Sequence, residues 1–282
     1  MRLIISFLLM VIPISADFDD SLARNLMMPI SGAAYSDSPQ QCLDKKMAGA
    51  KVSKQVTVKC DGFRDKCSAF TFVDEQRKVI GISFRGSANA AQLITDMAET
   101  GFEKKVDFKD GGQVSKYFND AFLDVWDGGL GADLSYLIMT YNGYDMWITG
   151  HSLGGALASL ASAHIVSLDW YDANRIFLYT FGQPRVGDQK YANVHDTFVQ
   201  SAYRVVHDRD LGAHSPPEFM KYVHHKYEVF YENNMKEGSP YTVCNEQEDK
   251  KCSDKYLFET SIEDHTHYYG QDVQRYGKGG CK

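Results

Sequence analysis

Strand-like and helix-like segments alternate along the chain from Lys78 to His207, and this alternation constrains the fold more than any other feature. Short apolar runs at Met146–Thr149, Ile176–Phe181 and Tyr203–His207 are separated by longer segments that suit helices. Strands joined through helices form parallel sheets, because parallel neighbours need a long crossover connection. We therefore predict an α/β fold with a mostly parallel central sheet and helices on both faces.

The segments around this region complete the predicted arrangement. Val52, Val56 and Val58 alternate with polar residues, as in a half-buried strand. The other expected elements are a helix from Ser21 to Tyr35, two paired β-rich runs at Ser68–Val73 and Lys78–Arg85, a helix through Leu134 to Tyr141, and helices at Gly154–Leu168 and Asp188–Gln200. No linker divides the chain, so residues 17–282 are expected to form a single domain.

The first residues have the pattern of a signal peptide. Met1-Arg2 carries positive charge, Leu3 to Ile12 is apolar, and Ala16 is a small residue that suits cleavage before Asp17. The apolar run is shorter than the roughly 20 residues that a membrane-spanning helix needs. We expect residues 1–16 to be removed, leaving a secreted, extracellular protein without a stable membrane anchor. A membrane anchor or a buried first helix is the alternative interpretation.

The charge of the chain argues against two classes of partner. It has 37 Asp and Glu against 30 Lys and Arg, which gives a net charge of −7. An acidic surface repels the phosphates of nucleic acids and the headgroups of anionic lipids. We therefore expect no nucleic-acid partner, and the sequence identifies no protein partner.

An even number of cysteines follows the predicted cleavage site, which suits disulfides in an oxidising compartment. They are Cys42, Cys60, Cys67, Cys244, Cys252 and Cys281. Cys60 and Cys67 flank a polar loop, and Cys244 and Cys252 flank another, so each of these pairs could form a local disulfide. Cys42 would then be left to pair with Cys281. The sequence alone does not choose among the connectivities.

The potential metal ligands do not form a recognisable site. No Cys-x-x-Cys pair occurs, and His207, His214, His224 and His225 have a spacing that fits no compact set of ligands. We predict no metal and no cofactor.

The pentapeptide Gly150-His151-Ser152-Leu153-Gly154 is the strongest indication of function. Gly-x-Ser-x-Gly alone is a weak signal, but here it follows a short apolar strand and opens a helix. That setting is typical of a nucleophile elbow, a sharp turn in which only small flanking residues avoid a clash. Ser152 is the predicted nucleophile. An ordinary glycine-rich turn is the alternative interpretation.

A serine hydroxyl needs a base to activate it and a carboxylate to orient that base. In elbow enzymes, the acid and then the histidine follow the serine along the chain. Asp208 and Asp210 come directly after the strand that ends at His207, and His265 and His267 lie much further on. Spacing separates neither the two aspartates nor the two histidines.

The sequence resembles the class 3 lipases, the family of the filamentous-fungal triacylglycerol lipases, and is most similar to secreted nematode members. The resemblance rests on Ile82–Ser87, Thr149–Ala158, Tyr179–Gly187, Tyr203–His207 and the stretch around His265. These segments occur in the order typical of the family and span most of the chain after residue 16. The resemblance implies an α/β-hydrolase fold.

The resemblance also implies roles for individual residues. It selects Asp210 over Asp208 as the acid and His265 over His267 as the base. It places the oxyanion donors at Ser87 and at the backbone N–H of Leu153, although Ser87 also suits capping of the next helix. Leu211–Pro217 departs from the family pattern beside the acid, which bears on the expected geometry of that loop more than on the identity of the acid.

Two further features follow from the resemblance. The helix after Ser87 corresponds to the family's lid, with Leu93, Ile94 and Met97 as its apolar stripe and Leu93 in place of a tryptophan common in the fungal enzymes. Weak activation at an oil–water interface is therefore expected. The cysteine pattern is similar to the fungal one, with two local bridges and one that joins the ends of the chain.

We thus expect a secreted serine hydrolase that cleaves esters of lipids or other carboxylic esters, with a Ser-Asp-His triad and an acyl-enzyme intermediate. A phospholipase or acyltransferase with the same triad, and a catalytically silent protein that binds lipid or another protein, are the alternatives.

Overall fold

The computed structural model describes residues 17–60, 66–100, 104–256 and 260–282, so the predicted signal peptide at 1–16 lies outside the described residues. The strands are β1 Lys51–Lys59, β2 Lys66–Asp74, β3 Val79–Phe84, β4 Lys105–Asp107, β5 Gln113–Ser115, β6 Asp145–His151, β7 Ile176–Phe181, β8 Ser201–His207, β9 Glu228–Tyr231, β10 Thr242–Cys244, β11 His267–Tyr268 and β12 Gln271–Asp272. The helices are α1 Asp20–Leu22, α2 Met28–Ala33, α3 Gln40–Lys46, α4 Ala90–Thr100, α5 Lys116–Val125, α6 Gly131–Thr140, α7 Leu153–Ser167, α8 Gln189–Phe198, α9 Ile262–Thr266 and α10 Val273–Lys278.

The central sheet has eight strands in the order β1-β2-β3-β6-β7-β8-β9-β10. Its middle strands, from β3 to β9 in that order, run parallel to their neighbours. β1 pairs antiparallel with β2 and β2 with β3 at one edge, and β10 pairs antiparallel with β9 at the other. The predicted mostly parallel sheet is therefore confirmed. β9 and β10 were not predicted from the sequence.

Both faces of the sheet are covered, which explains why nearly all residues of the central strands β3, β6, β7 and β8 are buried. Ile80, Ile82 and Phe84 of β3 belong to the core that also contains side chains of α5, α6 and α7. In β7, Ile176 and Leu178 face the same core, whereas Tyr179 and Phe181 face a second one. The second core contains side chains of α2, α3 and α10. This two-sided burial confirms the predicted helices on both faces.

The predicted helix from Ser21 to Tyr35 is a composite of three helical segments. α1 leads into a π-helical stretch at Ala23–Met27, and α2 continues the helical path to Ala33. Asp19 caps the start, because its side chain accepts a hydrogen bond of 3.0 Å from the N–H of Leu22. No helix in the described ranges is both long and apolar enough to cross a membrane.

Three disulfides have the pairing that the resemblance implied. Two of them close short loops, and the third joins α3 to a residue just beyond α10 near the end of the chain. The pairs are Cys60–Cys67, Cys244–Cys252 and Cys42–Cys281, which are 7, 8 and 239 residues apart in sequence.

Candidate active site

Ser152 lies in a strained turn between β6 and α7. Its φ of 59° and ψ of −130° are values that residues with a side chain rarely adopt. The flanking glycines make the turn feasible, because a Cβ on Gly150 would lie 2.1 Å from the carbonyl oxygen of Gly154. A Cβ on Gly154 would in turn lie 2.2 Å from the carbonyl oxygen of Phe84. The local sequence therefore builds the elbow and aims the hydroxyl at the carboxyl ends of the parallel strands.

A buried aspartate–histidine pair lies beside this turn. The Nδ1–H of His265 donates a hydrogen bond of 2.7 Å to Asp210 Oδ1, and both side chains are completely buried. The N–H of Ser152 donates to the carbonyl oxygen of Phe181, the last residue of β7, at 2.9 Å. The next residue is Gly182, where a Cβ would lie 2.6 Å from Asp210 Oδ2 and 2.9 Å from His265 Nδ1. The serine, the acid and the histidine thus lie together at the carboxyl ends of the central parallel strands.

Asp210 is held ionised by the groups around it. Its Oδ1 also accepts a hydrogen bond of 2.6 Å from the N–H of Gly212, and its Oδ2 accepts one from the hydroxyl of Tyr268. Burial by itself would raise the pKa of Asp210, but His265 and the hydrogen bonds from His265 and Tyr268 outweigh it and lower the pKa to about 2. No pattern in the sequence predicted this role for Tyr268.

The alternative candidates lie elsewhere. Asp208 is a half-buried turn residue with a φ of 40°, and its N–H donates to the carbonyl oxygen of Tyr231 at 2.8 Å. His267 Nδ1 lies 3.0 Å from the carbonyl oxygen of Glu263, on the partly exposed side of α9. The structure therefore brings Asp210 together with His265 and leaves Asp208 and His267 outside this pair.

The predicted oxyanion donors flank the elbow. Ser87 is buried and follows β3, the strand that pairs with β6 beside the turn. Its hydroxyl accepts a hydrogen bond of 3.1 Å from the N–H of Asn89, which shapes the turn that precedes α4. Leu153 is the first residue of α7, and an N–H at that position has no acceptor within its own helix. Both positions suit the predicted role, which stays a prediction.

The site is closed in this structure. Ser152 is 1% exposed and His265 is fully buried, and Ser152 Oγ and His265 Nε2 have no hydrogen-bond partner among the described residues. Ile94 of α4 is buried in the same core as Leu153, and Leu93 packs against that core. The side chain of Met97, the third member of the predicted lid stripe, lies outside the described residues. The described part of α4 therefore turns Leu93 and Ile94 toward the core that contains Leu153.

The histidines considered as metal ligands are engaged with the main chain. His224 Nε2 donates to the carbonyl oxygen of Ala213 at 2.8 Å, and His207 Nδ1 donates to that of His267 at 2.6 Å. Because these acceptors belong to the segments around Asp210 and His265, the two rings hold the main chain around the site.

Among the described residues, two groups of side chains have the composition of a metal site. They are His195, Asp196 and His225, and Glu218, Glu248 and Asp254. In the first group, the two rings stack at 3.9 Å with an interplanar angle of 15°, so their planes do not converge on one ion. In the second, the guanidinium of Arg185 lies 2.9 Å from both Glu248 and Asp254 and supplies the positive charge.

This chain is similar in sequence to known lipases. A family model described as Lipase (class 3) matches residues 81–220. Lipase ZK262.3 of Caenorhabditis elegans is 32% identical, over 95% of this chain and 84% of that protein. A lipase of Rhizomucor miehei is 33% identical over 70% of this chain, and the match spans 53% of that protein.

Solved structures give the same result for the fold. The triacylglyceride lipase of Rhizomucor miehei superposes with a TM-score of 0.76 at 26% identity, covering 88% of this chain and 93% of that one. A triacylglycerol lipase described as having a serine protease triad at its catalytic centre superposes with a TM-score of 0.78 at 27% identity, with the same coverage. These likenesses identify the predicted α/β-hydrolase fold.

Proposed function

The chain belongs to the class 3 lipase family, and on that basis we propose that it is a secreted carboxylic ester hydrolase with Ser152 as nucleophile, His265 as base and Asp210 as acid. The observation that carries this proposal is the strained serine beside a fully buried Asp210–His265 pair. Backbone strain of this kind persists only where the surrounding structure enforces it, and it is concentrated at functional sites. The sequence-based prediction of the family is confirmed.

The hydrogen bonds of His265 determine which nitrogen acts as the base. Nδ1 faces a carboxylate and must carry the proton, so in the neutral ring Nε2 has the lone pair. Nε2 takes the proton of the Ser152 hydroxyl as the oxygen attacks the ester carbonyl carbon. Asp210, ionised at neutral pH, then stabilises the imidazolium that forms.

The backbone N–H groups of Ser87 and Leu153 hold the oxyanion of the tetrahedral intermediate. A preorganised donor of this kind contributes roughly 10²–10³ in rate. His265 returns the proton to the departing alcohol, which leaves an acyl group on Ser152. Water then attacks the acyl-enzyme with His265 again as base, and the carboxylic acid is released.

The substrate is proposed to be an acylglycerol or another lipid ester. Relatives of this chain include a secreted mono- and diacylglycerol lipase of Fusarium solani, 32% identical over 58% of this chain. Secretion is further supported by three disulfides, because such bonds persist mainly in oxidising compartments. Residues 17–282 would then be the mature protein and form one α/β-hydrolase domain.

Labelling with a fluorophosphonate tests the proposed nucleophile. We expect intact-mass analysis to show one adduct on the wild type and none on Ser152→Ala. Ser167→Ala is a matched control, since this serine lies at the far end of α7, where its hydroxyl binds the carbonyl oxygen of His164. An unlabelled wild type would refute the proposal and favour a catalytically silent binding protein. An undiminished adduct on Ser152→Ala would refute Ser152 as the nucleophile.

Product analysis separates the related enzyme classes. We expect release of fatty acid from acylglycerols. Preferential cleavage of phospholipid would indicate a phospholipase, and transfer of the acyl group to an added alcohol in preference to water would indicate an acyltransferase.

A further inference from the structure

His151 makes a pair of buried contacts that the proposed mechanism does not use. Its Nε2 lies 2.7 Å from the carbonyl oxygen of His265, and its Nδ1 lies 2.8 Å from the hydroxyl of Tyr35. The rings of His151 and His265 are 4.8 Å apart between centroids. His151, the residue next to the proposed nucleophile, is therefore hydrogen-bonded to the main chain of the proposed base, His265.

The partners of His151 determine its protonation. A carbonyl oxygen can only accept a hydrogen bond, so Nε2 of His151 carries the proton and donates a hydrogen bond to the carbonyl oxygen of His265. Nδ1 then has the lone pair and accepts the hydrogen of the Tyr35 hydroxyl. Burial, followed by the proximity of His265, lowers the pKa of His151 to about 3, so the ring is neutral near pH 7. Burial also keeps Tyr35 protonated, because it raises the pKa of that phenol.

The contact fixes the catalytic histidine at a second point. Asp210 holds the ring of His265 at Nδ1, and His151 holds its main chain at the carbonyl oxygen. Without this second contact, the short helix α9, which spans only Ile262–Thr266, could shift relative to the elbow. Since His151 adjoins Ser152 in sequence, its hydrogen bond to the carbonyl oxygen of His265 sets the distance between the attacking hydroxyl and the base.

We propose that His151, oriented by Tyr35, is a positioning residue that couples the nucleophile elbow to the main chain of His265. The inference rests on the proposed function, because it assigns His151 a role in the same reaction. His151 does not touch the reacting atoms, so its effect is on the alignment of Ser152 with His265. A misplacement of about 1 Å costs up to ~10²-fold in rate.

The test compares His151→Leu with His151→Gln. Glutamine places an amide N–H where the Nε2–H of histidine lies, whereas leucine fills the space without a donor. With a water-soluble short-chain ester, we expect His151→Leu to lower kcat about 10- to 100-fold at nearly unchanged KM. His151→Gln should recover most of this loss.

Turnover is counted per active site titrated with fluorophosphonate, so that loss of folded protein does not count as loss of activity. A merely structural role would reduce the number of titrated sites and leave kcat per site unchanged, and that result would overturn the inference. Failure of the wild type itself to be labelled or to hydrolyse the ester would instead refute the proposed function.

Tyr35→Phe keeps the inference testable if His151→Leu does not fold. Removing the hydroxyl leaves the contact between His151 and His265 in place but unoriented, so we expect a fall of ~2- to 10-fold in kcat per site, equivalent to one neutral hydrogen bond. In the His151→Gln background, the same substitution should have a smaller effect. Wild-type kcat per site in Tyr35→Phe would contradict the role given to Tyr35.

Discussion

Replacing Asp210 with asparagine removes a charge at nearly constant shape. Oδ1 of Asp210 accepts from the Nδ1–H of His265 at 2.7 Å and from the N–H of Gly212 at 2.6 Å, and Oδ2 accepts from the hydroxyl of Tyr268. Asparagine has one carbonyl oxygen, which must take the Oδ1 position to satisfy two N–H donors. Its NH₂ group then faces Tyr268, whose hydroxyl has to turn and accept.

The structure therefore predicts different effects on stability and on turnover. One rearranged hydrogen bond in a buried site costs about 1–3 kcal/mol of the free energy of unfolding. Loss of the carboxylate also removes the charge that stabilises the imidazolium and that favours the proton on Nδ1, and the same change in a serine protease triad lowers kcat about 10⁴-fold. At ~1.4 kcal/mol per factor of ten, that loss raises the activation free energy by about 5.5 kcal/mol.

The assay measures kcat per titrated site for Asp210→Asn, with thermal unfolding recorded for the same samples. Asp208→Asn is the matched control, because Asp208 lies on the same turn but is only half-buried. We expect the control to keep nearly wild-type turnover. Retention of more than about a tenth of kcat in Asp210→Asn would refute the reasoning, because a triad without its carboxylate should lose far more. A comparable loss in Asp208→Asn would also refute it and would make Asp208 the acid.

Three other outcomes are expected. If α4 is the lid that the family resemblance implies, it has Leu93 where the fungal enzymes commonly have a tryptophan, so the rate should rise only slightly when a triglyceride passes its solubility limit, and a sharp rise would contradict this. Burial and then Glu248 raise the pKa of Asp254 above its ordinary value, so the folded state binds an extra proton. Stability should therefore fall as pH rises from ~4 through that raised pKa, and Asp254→Asn should flatten the dependence in urea titrations. In Gly212→Ala, the new Cβ would lie 2.4 Å from His265 Nδ1 and displace the ring, so kcat per site should fall by ~10²-fold. Wild-type turnover in this variant would show that the ring of His265 can shift without loss of activity.

The central strands could be predicted because their apolar runs reflect burial on both faces. β7 has the predicted bounds, Ile176–Phe181, since helices cover both of its faces. β9 and β10 were missed because they are short and lie at one edge of the sheet, where pairing with β8 and the disulfide Cys244–Cys252 hold them. Such elements are stabilised by tertiary contacts more than by their own pattern.

In the candidate site, likewise, residues defined by a local motif could be predicted from the sequence, whereas contacts between distant residues could not. Ser152 was found from a pentapeptide, because the elbow is a local structure. Asp210 and Asp208 could not be separated by spacing, since their difference arises from a sharp turn, with Asp208 at a φ of 40°. The contacts of Tyr268 with Asp210 and of Tyr35 with His151 join residues 58 and 116 positions apart. No periodicity in the sequence encodes such pairs.

The Cys42–Cys281 bond changes how the structure can open. Helices near the ends of a chain usually fray first, and their amide hydrogens exchange quickly with solvent. Here the bond links α3 to a residue that follows the last turn of α10, and α2 packs between the two in the same core. We therefore expect none of the three helices to separate from the core independently of the other two. Their amide hydrogens should therefore exchange about as slowly as those of the central strands, which would place these three helices in the most protected part of the described fold.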